Sequence, residues 1–214
     1  MIVVAIDGPA GSGKSTVAKA LAERLGLEYL DTGAMYRAVT FAALRRGIDP
    51  SDQEPVARMV RDIELSVDQD QVIVDDVDAT IEIRGPEVTR AVSLVAANPE
   101  VRTEMRRRQR EWARSHGGGV MEGRDIGSAV FPDASLKAYL TARPAVRAQR
   151  RAQEVTDLDY ETVAADLARR DALDSERQHD PLVTPEGAVV VDTSDRTVEE
   201  IVDDLVAHLE PHGE

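Results

Sequence analysis

The run Ile2-Val3-Val4-Ala5-Ile6, followed almost at once by Gly8-Pro9-Ala10-Gly11-Ser12-Gly13-Lys14-Ser15-Thr16, constrains the fold more than any other stretch. A continuous, mostly β-branched segment is what a strand buried on both faces requires. Beyond the glycines, Val17, Leu21 and Leu25 recur at helical spacing, and Gly26 supplies a stop. The order is therefore strand, glycine-rich loop, helix. The loop matches G-x-x-x-x-G-K-[ST] at every fixed position. Glycines let the backbone curl so that several N–H groups point inward at phosphate oxygens, and the helix N-terminus adds positive potential. Lys14 can reach the β and γ phosphates, and the Ser15 hydroxyl can ligate Mg²⁺. Residues Gly8, Pro9, Ala10, Gly11, Ser12, Gly13, Lys14, Ser15 and Thr16 are thus the expected triphosphate site. A flexible glycine turn is the bland alternative, and the strand-to-helix context argues against it. Such a site alone does not name a reaction, since switch GTPases, transport ATPases and small-molecule kinases share it.

The rest of the chain alternates in the same way. A strand at Glu28–Leu30 leads into a helix from about Ala34 to Arg46, and Ser51 with Glu54 has capping-box spacing for a helix from Asp52 to about Val60. Between Ile63 and Ile83 the texture changes to short β-rich pieces separated by Asp and Gln turns, which reads as an inserted antiparallel meander. Pro86 and Pro99 suit helix first turns, opening helices to about Ala97 and His116. In the second of these, Val101, Met105 and Trp112 are assigned to one face. Strands at Val120–Glu122, Leu136–Leu140 and Ala188–Val191 alternate with helices at Pro144–Val155 and Tyr160–Leu173, and Thr197 caps a last helix to about Leu209. Strands separated by helices imply an α/β fold with a mostly parallel sheet covered on both faces.

Composition limits the partners. The 214 residues carry a net charge of −14, from 26 basic and 40 acidic side chains, which disfavours a nucleic-acid polymer or an anionic membrane. There is no cysteine, so thiolate chemistry and disulfides are excluded. The apolar run at Ile2 is too short for a signal peptide or a membrane span, and a cytoplasmic protein is expected. Arg106, Arg107, Arg108 and Arg110 invite an RNA reading, but a solvated helix face accounts for them more simply.

Two further clusters stand out. Asp31-Thr32-Gly33-Ala34-Met35-Tyr36-Arg37 puts a hydroxyl at a helix start with Tyr36 and Arg37 a turn later, a pattern that a capped helix with a surface arginine would also give. Glu122-Gly123-Arg124-Asp125-Ile126-Gly127 follows a buried strand, where α/β proteins bind ligands, although a turn ion pair would look similar. Together with Ile83-Arg84-Gly85-Pro86-Glu87-Val88, Val92-Ser93, Val101-Arg102, Val130-Phe131-Pro132-Asp133-Ala134, Arg170-Asp171, Asp174 and Arg177, these segments resemble the bacterial cytidylate kinases, a branch of the nucleoside monophosphate kinases. The resemblance covers nearly the whole chain. It implies a single P-loop NTPase domain, a three-layer sandwich with a five-stranded sheet, over residues 1–214. It further implies a monophosphate-binding insertion at about 34–98, with its β meander at about 63–83, and a short helical lid at about 150–177.

The resemblance also implies site roles. Arg37 and Arg124 would hold the acceptor's 5′-phosphate, with Thr32 and Tyr36 beside it. Ser93, Arg102 and Asp125 would read the base, and Arg170, Asp174 and Arg177 would line the ribose and phosphate region. Cytosine offers an N4 amino donor beside N3 and O2 acceptors, which a carboxylate next to hydroxyl or guanidinium donors would match. Uracil reverses the first two groups, so CMP is expected over UMP, with dCMP depending on the need of Asp174 for the 2′-hydroxyl. The acceptor is itself an anion, so no general base is called for. His116, His179, His208 and His212 are expected to be solvated. Lys14, Arg124, Arg170 and Arg177 are the candidate catalytic cations, with Mg²⁺ accompanying ATP and a monomer expected. Glu122 stands where aspartate is frequent in the family, Ser128 where threonine is usual and Gly85 where threonine is common; Asp180 before Pro181-Leu182 also departs from its pattern. Rival readings are a kinase for UMP, AMP or a metabolite, a regulatory nucleotide switch, and a nucleic-acid binder.

Overall fold

The computed structural model describes residues 1–68, 70–154 and 159–209. The chain forms two compact units, one of residues 1–28 and 116–214 and the other of residues 29–115.

In the first unit, strand β1 (Ile2–Asp7) opens the chain and helix α1 (Lys14–Leu25) follows the glycine loop. Gly26 ends α1 at φ 62°, a left-handed conformation that glycine adopts without a Cβ penalty. In the second unit lie β2 (Tyr29–Asp31), α2 (Thr32–Arg45), α3 (Gln53–Asp62), the short strands β3 (Leu65–Val67), β4 (Val72–Val74) and β5 (Val77–Asp78), a 3₁₀ turn at Glu82–Arg84, α4 (Pro86–Ala97) and α5 (Pro99–Ser115). The chain then returns to the first unit with β6 (Gly118–Gly123), a π-helical turn at Ile126–Val130, β7 (Leu136–Thr141), α6 (Pro144–Glu154), α7 (Tyr160–Ser175), β8 (Val189–Asp192) and α8 (Val198–Leu209).

The five-stranded sheet has the order β2-β6-β1-β7-β8. β1 runs parallel to both β6 and β7, and β7 parallel to β8. Val4, Ala5 and Ile6 are completely buried, as the unbroken apolar run requires of a central strand. Val17 and Leu21 of α1 and Ile201 and Leu205 of α8 add to this core. The second unit carries the antiparallel meander as a three-stranded sheet, β3-β4-β5.

Several local expectations are corrected. Ser51 does not cap α3: its N–H and hydroxyl both go to Asp49 Oδ1, so the side chain closes a turn instead of satisfying the helix. A capping box forms instead at α8, where the Glu200 N–H donates to Thr197 Oγ1 and the Thr197 N–H to Glu200 Oε2. Strand β5 stops at Asp78, whose carboxylate accepts from the Thr80 N–H and hydroxyl and turns the chain away. Of the three glycines that follow α5, Gly117 precedes β6 while Gly118 and Gly119 lie inside it; a Cβ on Gly118 would sit 2.0 Å from the Ile2 carbonyl oxygen. On α5 the buried line continues from Val101 and Met105 to Gln109 and Ala113, while Trp112 is only half-buried. Of the α5 arginines, Arg107 is solvated, but Arg108 donates to the Val60 and Ile63 carbonyls and pairs with Glu104. It anchors α5 to the end of α3.

Candidate active site

The glycine loop takes its shape from close packing. Gly8 (φ 149°) lies where a Cβ would stand 2.0 Å from the Leu140 carbonyl oxygen, and Gly11 (φ 74°) where one would stand 2.9 Å from that of Arg147. A side chain at either position would drive β7 or α6 off the loop. The Lys14 ammonium, almost fully buried, donates to the Pro9 carbonyl at 2.7 Å, folded across its own loop. Ser15 Oγ donates to Glu122 Oε2 at 3.0 Å, bringing the loop hydroxyl to a buried carboxylate at the end of β6.

Helices α6 and α7 clasp the loop from outside. Arg147 Nη1 donates to the Ala10 carbonyl and pairs with Asp171 Oδ2, while the Ala10 N–H donates to Asp171 Oδ1 at 3.4 Å. Arg150 donates to both the hydroxyl and the carbonyl of Thr193, and Thr193 Oγ1 donates to the Ser12 carbonyl at 2.9 Å. Arg150 is thereby a structural tie, whereas Arg151 pairs with Glu154 on the surface of α6.

The polar cluster beyond β6 is brought together with the end of α7. Arg124 Nε donates to Asp174 Oδ2 at 3.0 Å, and Arg177 Nη2 pairs with Asp174 Oδ1 at 2.9 Å. Burial works against the charge of Arg124, but Asp174 outweighs it and holds the guanidinium firmly protonated. Arg170, on α7, has a buried Nε with no hydrogen-bond partner among the described residues. Burial, with repulsion from Arg124 added, pulls Arg170 down to about 10. The cluster therefore holds three guanidiniums around Asp174, since Asp171 is engaged by Arg147. This excess of buried positive charge is what a site for phosphoryl anions needs.

The second unit gathers the other acceptor candidates. Asp31 caps α2 by accepting the Ala34 N–H, which places Thr32 at the first helical position, buried. Arg37 donates from Nη1 to the Ile83 carbonyl and to Thr89 Oγ1, linking α2 to the start of α4. Arg102 is 1% exposed; it donates to the Ala96 carbonyl and lies 5.7 Å from the centre of the Tyr36 ring. Ser93, half-buried, lies one turn before Ala96 on α4. Thr32, Tyr36, Arg37, Ser93 and Arg102 thus belong to one unit, and Arg124, Asp125, Asp174 and Arg177 to the other. His116, His179 and His208 are exposed, as expected, while His212 lies outside the described residues, as do positions 155–158 of the expected lid.

Asp7, Asp171 and Thr193 have site contacts that the sequence reading did not assign. Asp171 sits inside a quoted motif segment, Asp7 between the first strand and the glycine loop, and Thr193 in no motif.

A central parallel sheet, a glycine loop shaped by backbone contacts, and a buried arginine cluster at the strand ends define a P-loop phosphotransferase. A protein-family model described as cytidylate kinase matches residues 4–211. The chain belongs to the cytidylate kinase family, and it phosphorylates CMP using ATP. It is 52% identical over 213 residues to a cytidylate kinase of Mycolicibacterium paratuberculosis, covering 95% of this chain and 93% of the relative. It is 48% identical to one of Corynebacterium glutamicum, covering 100% and 96%. Among solved structures, an uncharacterized protein from Eubacterium ventriosum (TM-score 0.56, 12% identity) and TT1252 from Thermus thermophilus (TM-score 0.50, 20% identity) each match over 98% of both chains and share the fold. Among the described residues no helix is long and apolar enough to cross a membrane.

Proposed function

We propose that the γ-phosphoryl of ATP passes directly to an oxygen of the CMP phosphate, with Lys14, Arg124, Arg170 and Arg177 as the catalytic cations. The acceptor oxygen forms the new bond to the γ-phosphorus as the bond to the β-bridging oxygen breaks, and ADP leaves with that electron pair. The acceptor is already anionic, so no proton need be removed first. Positioning and charge neutralisation then supply the acceleration. The observation that carries this reading is the surplus of buried guanidinium around Asp174, with Arg170 lowered by burial and by repulsion from Arg124.

Residues Gly8 to Thr16 would hold the ATP phosphates. Mg²⁺ is commonly bound by one or two protein oxygens and by substrate phosphates, and the Ser15 hydroxyl with the Glu122 carboxylate is a donor set of that kind. When bound, the ion would neutralise charge on the β and γ oxygens. Arg37 and Arg124 are assigned to the acceptor phosphate, with Thr32 and Tyr36 beside it. Ser93, Arg102 and Asp125 are assigned to the cytosine, and Asp174 with Arg177 to the ribose. The stretch at about 34–98 would serve as the monophosphate-binding insertion and that at about 150–177 as the lid, in one kinase domain. A monomer in the cytoplasm fits this reading.

dCMP is proposed as a second acceptor within reach of CMP, because Asp174 is already engaged by two arginines and loss of the 2′-hydroxyl removes little. A coupled assay with ATP and CMP, dCMP, UMP or AMP tests this. CMP should give the highest kcat/KM, with dCMP within about tenfold. A larger loss with dCMP would show that the 2′-hydroxyl is read.

A further inference from the structure

Asp7 is the last residue of β1, completely buried, and next to the first glycine of the phosphate loop. Its two carboxylate oxygens accept from different amides: Oδ1 from the Ile126 N–H at 2.8 Å and Oδ2 from the Gly127 N–H at 2.7 Å. These amides open the π-helical turn Ile126–Val130, and the first N–H groups of any helical turn lack partners within it. The turn begins at Asp125 (φ −148°, ψ 23°), whose carbonyl accepts from the Ala129 and Val130 N–H groups. Asp125 is therefore fixed on both sides: its carbonyl by the turn, and the following two amides by a carboxylate 119 residues away in sequence. π-Helical turns of this kind concentrate at functional sites.

We infer that Asp7 is a positioning residue for acceptor specificity: it holds the Asp125 carboxylate in the orientation that selects cytosine over uracil. The inference rests on the proposed role of Asp125 as the reader of the cytosine amino group. Asp7 is completely buried and presents no surface to a nucleotide. It acts through the 126–127 amides, and its place at the mouth of the phosphate loop ties the acceptor-reading turn to the donor loop through a single side chain.

The arrangement also costs stability, which separates it from an ordinary structural bond. Burial raises Asp7 to about 6, against its two amide bonds and Lys14, with Asp125 adding repulsion and Tyr139 also within electrostatic reach. An anion kept where its charge is penalised is better explained by geometry than by folding.

The test is steady-state kinetics at pH 8 on full-length Asp7→Asn, Asp125→Asn and the double variant, with CMP and UMP as acceptors, alongside thermal melting. Asn is isosteric with Asp but keeps one acceptor and turns an N–H donor toward the second amide. Asp7→Asn is expected to melt no lower than wild type. It should raise the KM for CMP by 10-fold or more, leave the KM for ATP within 2-fold, and cut the CMP/UMP ratio of kcat/KM at least 10-fold. Added to Asp125→Asn, it should cause no further loss of that ratio, because both act through one carboxylate. Asp7→Ser, which retains a single hydroxyl acceptor, should fall between wild type and Asp7→Asn. An unchanged CMP/UMP ratio in Asp7→Asn beside a collapsed one in Asp125→Asn would overturn the inference while sparing the base assignment. An unchanged ratio in Asp125→Asn would instead remove the base assignment itself. A melting temperature lowered together with weaker ATP and CMP binding in both Asp7 variants would mark Asp7 as merely structural.

Discussion

Replacing Asp174 with Asn asks whether one carboxylate restrains the arginine cluster. Asp174 accepts from Arg124 at 3.0 Å and from Arg177 at 2.9 Å, and the three side chains are exposed by 20% or less. Removing one partner of a buried ion pair costs about 3–5 kcal/mol, because the remaining charge is left uncompensated. Asn retains one acceptor oxygen and the cleft admits some solvent, so about 2–4 kcal/mol is the working figure. For a chain of this size each kcal/mol moves the melting temperature by about 2–4 °C, giving a drop of roughly 5–15 °C. The loss should be reversible by charge: inorganic phosphate or tripolyphosphate supplies the missing anion, and should raise the melting temperature of Asp174→Asn more than that of wild type. Differential scanning fluorimetry with and without the anions reads both effects, and CMP turnover should fall at least 100-fold. A variant that melts like wild type and gains no more from phosphate would refute the view that Asp174 balances this cluster.

Lys14→Ala should lower kcat by about three orders of magnitude or more, as expected for loss of a charge that acts on the transferring group, and a folded variant with near-normal turnover would defeat the mechanism. Thr193→Ala breaks the link from Arg150 to the Ser12 carbonyl and should raise the KM for ATP several-fold with little change for CMP; an effect confined to CMP would contradict that tie. Asp7 also gives a pH signature. Its folded value of about 6 exceeds its ordinary 3.8, so the folded protein retains a proton that the unfolded chain releases. Stability from this group is full below about pH 4 and is lost as pH rises through about 6, a change of about 3 kcal/mol. Urea unfolding should therefore show Asp7→Asn gaining on wild type between pH 4 and 7, and parallel stabilities across that range would show that the carboxyl is not perturbed.

What could be read from sequence was what is local. The apolar run Ile2–Ile6, buried from Val3 onward, the glycines and Lys14 are close neighbours in sequence, and each has a physical reason visible in its own neighbourhood. The same holds for the meander and for the proline-opened helices α4 and α5. The capping of α3 was misread because Ser51 had two local choices and took the Asp49 turn. The ties that shape the site are long-range: Asp7 to Ile126 and Gly127, Arg147 and Asp171 to Ala10, Thr193 to Ser12. No periodicity links residues more than a hundred positions apart, and an aspartate at a strand end looks the same in sequence whether it faces solvent or two amides.

The most direct check of the account is the acceptor panel with the intact protein and ATP, measuring kcat/KM for CMP, UMP and AMP under the same conditions. CMP should exceed UMP by about 100-fold or more, the cost of leaving buried polar groups mispaired, and AMP should be poorer still. Comparable or higher kcat/KM for UMP or AMP would contradict the assignment of Asp125, Ser93 and Arg102 to a cytosine.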